Sequence, residues 1–217
     1  MPTDGVASQM FEPQRVDYLS PEVGGRIGGV TAGPALWSGQ WTLGTMAPET
    51  GDVWRAFVAR QRGPQRRFYG YDLSRPFPRA HRGGFFDMVR GSDGSAFPED
   101  GAASSWAPVN AERDVIVLKG MPAGLTLGFG DYVGFRWGGT KRDLTRSVQA
   151  VAVANAAGDL QVEVEPPVWA STPTDAVAYL GKPDCLMALV PGQTALGELD
   201  ELHSLGGRIV AIQDLIA

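Results

Sequence analysis

Over residues 36–45 and in segments after Asp114 apolar residues recur at every second position, and one stretch replaces that rhythm with a helical one. Within residues 47–72 (APETGDVWRAFVARQRGPQRRFYGYD), Val53, Trp54, Phe57 and Val58 fall at helical spacing and give one apolar, aromatic face. Thr50 is placed to cap the N-terminus, with Glu49 and Asp52 near the positive end of the helix dipole. Arg60 and Arg62 occupy the last turn, Gly63 supplies a left-handed residue to end the helix, and Pro64 prevents continuation. Residues 67–71 follow as a short aromatic strand. Before the helix, residues 36–45 alternate, with Trp37, Trp41 and Leu43 on one side. The pattern predicts a strand–helix–strand unit whose helix lays its aromatic face on a sheet.

From Asp114 the alternation is that of an all-β region. Residues 115–118, 132–137 and 143–154 predict strands, with Val151 and Val153 on one face, and residues 155–159 form a hairpin loop. Leu160, Val162 and Val164 then alternate with Gln161, Glu163 and Glu165 until Pro166 and Pro167 stop the strand. Residues 176–180 and 186–190 predict further strands. Residues 208–216 close the chain, with Ile209, Ala211 and Gln213 alternating with Val210 and Ile212. The turn spacing predicts a small barrel or sandwich.

Two stretches carry no clear period. Residues 1–35 read as a polar arm with one strand near 14–19, followed by a glycine-dense connector over 24–34. Residues 73–100 are broken repeatedly by proline and glycine, yet carry Phe77, Phe85, Phe86 and Phe97. A loop with that much apolar surface packs on something, and a neighbouring subunit is the expected surface. The expected fold is mainly β (α+β). Residues 1–35 are its arm and connector, 36–110 a helix-on-sheet domain with the phenylalanine loop, and 111–217 a barrel or sandwich with the closing strand.

At 217 residues the chain can bury a substantial core, and its net charge of −5 argues against a general nucleic-acid binder. Cys185 is the only cysteine, which excludes an intrachain disulfide and suits a small buried hydrophobe. No secretory leader and no apolar run long enough for a membrane span is read. His81 and His203 lie at no metal-binding spacing, and residues 91–95 approach a nucleophile elbow only in composition. Glu163 and Glu165 read as a solvated face, and the acidic knot Glu198, Asp200, Glu201 lacks a calcium-loop pattern. The sequence therefore nominates no catalytic, cofactor or metal residue. Charge layout is its clearest anomaly. Between Arg55 and Arg90 nine arginines face two acids, and between Asp159 and Asp214 nine acids face two bases, for local charges of +7 and −7. Complementary surfaces between subunits are expected, with Arg60, Arg62, Arg66, Arg67, Arg75 and Arg79 beside Phe77, Phe85 and Phe86 on one side. Glu198, Asp200 and Glu201 form the other side.

The order of several short motifs resembles a known group. An aromatic strand (Trp41), Pro48-x-Thr50, a helix with Trp54 and Phe57, Arg62-Gly63, and a strand with Phe68 before Asp72 come first. Gly130-Asp131-Tyr132-Val133 follows, then the Gly158 turn, the Pro166-Pro167 stop and a closing strand. This is similar to tail-tip proteins of long-tailed bacteriophages, near the distal tail protein. The resemblance spans residues 36–72 and 125–217. It implies a homo-oligomeric ring, commonly six-fold, that joins the tail tube to the tail tip or baseplate. It further implies tube and hub proteins as partners and a place in the virion after assembly in the host cytoplasm. Two other readings stay open. One is a carbohydrate-binding β-sandwich, which exposed tryptophans such as Trp106 and Trp169 lying side by side would support. The other is a cell-wall hydrolase, which needs a pocket where a histidine or an acid pair converges.

Overall fold

The computed structural model describes residues 1–21, 24–25, 27–198, 203 and 206–215. Its first strands are Val6–Gln14 (β1), Asp17–Pro21 (β2), Ile27–Thr31 (β3) and Leu36–Leu43 (β4). The helix Pro48–Gln61 (α1) precedes Phe68–Gly70 (β5). Next come Ser105–Pro108 (β6), Val115–Lys119 (β7), Thr126–Gly128 (β8), Tyr132–Trp137 (β9), Lys141–Ser147 (β10), Val151–Val153 (β11), Leu160–Glu165 (β12) and Val177–Tyr179 (β13). Cys185–Leu189 (β14), Ala195–Leu196 (β15) and Gly207–Gln213 (β16) complete the order. The fold is mainly β with one α-helix among the described residues.

The first sheet has the antiparallel order β1-β4-β16-β14-β5, with β15 pairing on β16. Trp37 and Trp41 of β4 are fully buried on its inner face with Phe11, Phe68, Met187, Ile209 and Ala211. At Gly39, between them, an added Cβ would fall 2.2 Å from the Trp41 ring, so the missing side chain is what lets that indole lie flat on the strand. The helix covers this sheet through Trp54, which is buried, and through half-buried Phe57 and Val58. Phe57 meets Phe68 edge-on at 5.1 Å, and the indole N–H of Trp54 donates to the Asp4 carbonyl at 2.8 Å. Val53 is 54% exposed, against expectation. Trp54 and Gln61 are buried and Phe57 and Val58 half-buried, together the i, i+3, i+4, i+7 set, and residue 53 lies about 100° off that line.

Both helix ends differ from the expected caps. Ala47 is the extended N-cap residue with no side-chain cap, Pro48 takes the first turn, and Thr50 lies inside the helix. At the other end Arg62 itself is left-handed (φ 51°), and its amide bonds the Ala59 carbonyl before Gly63 (φ 66°) opens a short 3-10 turn.

The second sheet runs β13-β9-β10-β12-β7-β6. Its two edges meet where the Ala103 amide donates to the Ala178 carbonyl at 2.8 Å, so the sheet curls into a barrel. Leu160, Val162 and Val164 point inward at 0% exposure while Gln161 and Glu163 face solvent, as their alternation predicts. The predicted strand over residues 143–154 is split at 148–150, and β11 leaves to pair with β8. That small ribbon turns Leu127 and Ala152 into the barrel core and leaves Val151 and Val153 outside. Because β11 pairs with β8, residues 155–159 close a turn without joining paired strands.

Three expectations of grouping are corrected. Residues 185–213 do not stay with the barrel: β14 and β16 return to the first sheet, and β16 takes its centre between β4 and β14. The barrel is thus inserted into the chain of the first sheet. Period-2 alternation tells which face of a strand is buried but not which sheet it joins. Second, residues 1–35 are not a free arm, because β1 pairs along the whole of β4 and the glycine-dense stretch contains β3. Third, the phenylalanine loop packs on its own barrel. Phe85 and Phe97 are buried in the barrel core and Phe77 packs against it, while Phe86 is 73% exposed. The open mouth of a six-stranded barrel exposes apolar side chains, and this strap covers them. It is tied by Gly181 N–H to the Asp100 carbonyl at 2.8 Å and by Arg79 N–H to Asp131 Oδ1 at 2.9 Å.

Candidate assembly surface

Two neighbouring hairpin segments build a group of exposed apolar side chains. β1 and β4 are paired along their length, and β2 and β3 pair directly beyond them, with the Ala32 amide donating to the Val16 carbonyl at 2.8 Å. The four strands form one long ribbon whose base lies in the first sheet and whose tip projects. Gly33, with φ 91°, bends the chain between β3 and β4 where a side chain would be strained. Thr31 Oγ1 donates to Asp17 Oδ1 at 2.7 Å at the root of the tip. Ion pairs Arg146–Glu12 and Arg15–Glu165, each 2.7 Å, tie the ribbon base to the outer wall of the barrel. Both are partly exposed, so they contribute about 0–1 kcal/mol each and act mainly to orient the ribbon.

On the tip, Val16, Tyr18, Leu19, Ile27 and Val30 are 57–71% exposed. A two-stranded hairpin without a sheet behind it is marginal in water, and five large apolar side chains on it favour a covering surface. Sequence reasoning missed these residues. Their signal was two short β-capable runs, Tyr18-Leu19 and Ile27 to Val30, flanking Pro21 and the Gly24-Gly25 pair.

Beside β1 runs a groove of about 930 Å³, lined by residues 6–12, by 71–76, and by Tyr132, Arg146 and Lys182. Asp72 is the buried acid of its wall. It accepts from the Ser74 amide at 2.8 Å, the Ser74 hydroxyl at 2.6 Å, the Tyr132 hydroxyl at 3.0 Å and the Gln9 side-chain amide. Burial, and then the Asp72 charge, push the Tyr132 hydroxyl well above the ordinary tyrosine range, so it stays a donor. A carboxylate so engaged and a tyrosine so held brace the groove.

The expected charge surface is divided. Arg60, Arg62, Arg66 and Arg79 are exposed, whereas Arg67 is ion-paired with Asp214 of the same chain. Arg75 donates to the Phe129 carbonyl at 2.8 Å and lies 3.8 Å from Asp131, and Arg55 donates to the Gly197 carbonyl at 2.7 Å. Part of the basic stretch is therefore bound within its own subunit. Glu198 is exposed, and Asp200 and Glu201 lie outside the described residues. Of the three phenylalanines expected beside the arginines, only Phe86 is on the surface; Phe85 is core and Phe77 half-buried.

Among the described residues, no three His, Cys, Asp or Glu side chains gather to hold a metal ion. His81 Nε2 accepts the Thr126 amide at 3.1 Å, and burial lowers its pKa below the ordinary histidine value. Cys185 is fully buried and its thiol is pushed up by desolvation. Trp106 is buried against Phe135 and Arg113, so it cannot share an exposed sugar platform with half-buried Trp169. No helix among the described residues is long and apolar enough to cross a membrane. No family model matches the chain, and no curated protein matches it.

Proposed function

We propose that the chain is a structural subunit of a bacteriophage tail tip. It self-associates into a ring, six-fold as the motif resemblance implies, and joins the tail tube to the tip or baseplate. It works by packing and assigns no residue to catalysis. The observation that carries this reading is the ribbon tip, Asp17–Pro21 with Ile27–Thr31, which extends past the sheet with its apolar side chains uncovered. A donor surface of this kind suits repeated docking between copies. Tube and hub proteins would meet the two faces of the ring, and the virion would be its final location. The test is native mass by light scattering with negative-stain imaging. Closed rings of uniform diameter are expected; a strictly monomeric chain at every concentration would overturn the reading.

A further inference from the structure

We infer that the ribbon tip of one copy pairs, as an added strand, with the outer edge of β1 in a second copy. This rests on the ring reading above and names the surface that receives the tip. β1 ends its sheet, and among the described residues no backbone other than that of β4 bonds to the backbone of residues 7–12, although the Gln9 side chain accepts the Leu73 amide at 3.0 Å across the groove. A bare edge presents alternating N–H and C=O groups and is a template for another strand unless it is protected. Here the backbone is protected at the ends of the edge, while between them only the side chains of Gln9 and Glu12 are engaged, with Asp72, Leu73 and Arg146. The register shifts between Val6 and Ser8, and Pro13 has no N–H to donate. The pairable edge between them is Ser8 to Glu12, five residues, which matches the five residues of β2 and of β3.

The side chains agree with the backbone. Met10 on this edge is 47% exposed, and Tyr71, Leu73 and Pro76 line the groove beside it. On the tip, Tyr18 and its cross-strand partner Val30 share one face and Leu19 and Ile27 the other, so an added strand brings apolar side chains to both sides of the edge. A copy cannot fill its own edge, because β2 continues the direction of β1 past Gln14 and carries the tip beyond the end of that edge, roughly 17 Å further for a five-residue strand. Tip and edge are different surfaces, so the contact is head-to-tail and propagates until it closes, whereas tip-to-tip pairing would stop at two copies.

The experiment places the photoreactive residue p-benzoylphenylalanine at Tyr18 in an equal mixture of ¹⁴N- and ¹⁵N-labelled chains, with adducts mapped by mass spectrometry. Mixed-isotope adducts to residues 6–12 or 71–76 are expected. Adducts confined to other surfaces, tip-to-tip adducts, or no adduct in a multimeric sample would overturn the inference while leaving the ring intact. A sample that is monomeric throughout overturns both. Two variants provide a second arm. Leu19→Asp on the tip and Met10→Asp on the edge should each weaken association about tenfold or more, equivalent to ~1.4 kcal/mol. Association untouched by Met10→Asp would again remove the edge as acceptor.

Discussion

The hydroxyl of Tyr132 donates to Asp72 Oδ2 at 3.0 Å, a bond that runs from the first residue of β9 in the barrel to the residue two past β5 in the first sheet. The two bodies of the molecule share this carboxylate as a brace. Tyr132→Phe removes one of its donors and should cost about 0.5–1.5 kcal/mol. Asp72→Ala leaves Tyr132, Gln9 and Ser74 without their acceptor and should cost more, about 1–3 kcal/mol or above. Urea midpoints of the two variants check the order; an equal or reversed order would deny Asp72 its bracing role.

Trp54→Ala opens the space between α1 and the sheet and frees the Asp4 carbonyl. Truncating a buried aromatic of this size costs roughly 3–5 kcal/mol, a large share of a domain's stability. Little soluble protein is expected. A variant that expresses and melts like the parent would show that the helix does not organise the sheet.

The strap makes a paired prediction. Phe85→Ala should cost roughly 3–5 kcal/mol, because Phe85 lies within the barrel core, while Phe86→Ala should change stability by less than about 0.5 kcal/mol. Since the strap packs on its own barrel, limited proteolysis of the lone subunit should leave residues 73–100 as resistant as the barrel strands. Early cleavage there would contradict the packing described.

His81 gives the strap a pH dependence. Its Nε2 can accept the Thr126 amide only when unprotonated, and burial keeps its folded pKa below the ordinary 6.5. The unfolded state therefore binds the proton more readily. The contribution is fully present above pH 6.5 and is lost as pH falls through the lowered folded value. The protection factor of the Thr126 amide, corrected for the intrinsic pH dependence of exchange, should fall on acidification, and His81→Ala should remove that pH step. A Thr126 amide whose protection is flat between neutral and acidic pH would contradict it.

Much of the architecture was legible because burial writes a period into sequence. The bounds of β9 agree with the pattern over 132–137, and the inward set Leu160, Val162, Val164 is buried as read. Trp54 and Cys185 are buried for the same reason: large or soft apolar groups find the interior. Partnership was not legible. Nothing in the alternation of Ile209 and Ala211 says that their strand lies between β4 and β14, since register and sheet choice depend on residues far away in sequence. The phenylalanine loop was read correctly as needing a surface, but sequence does not say whether that surface belongs to the same chain. The ribbon tip was hidden by its glycines, which read as a connector when a short hairpin also needs them.

The placement of β16 has a consequence for how the molecule is made. Trp41 pairs across to Ile209, 168 positions later, and the barrel strands β6 to β13 all lie between them in the chain. On the ribosome, β4 and α1 emerge long before the strand that fills the gap beside them, whereas the barrel has all of its strands within one uninterrupted stretch. Domains generally fold as units in the order in which they are synthesised, and long-range pairings form late. The barrel is thus finished first, and the tryptophan face of β4 waits half-covered until β14 and β16 arrive. Translation that halts after the barrel yields a chain whose ribbon has no complete sheet beneath it. Such truncated chains would lack the rigid base beneath the ribbon, so, on the proposed ring reading, synthesis itself would sort competent subunits from incomplete ones before copies meet.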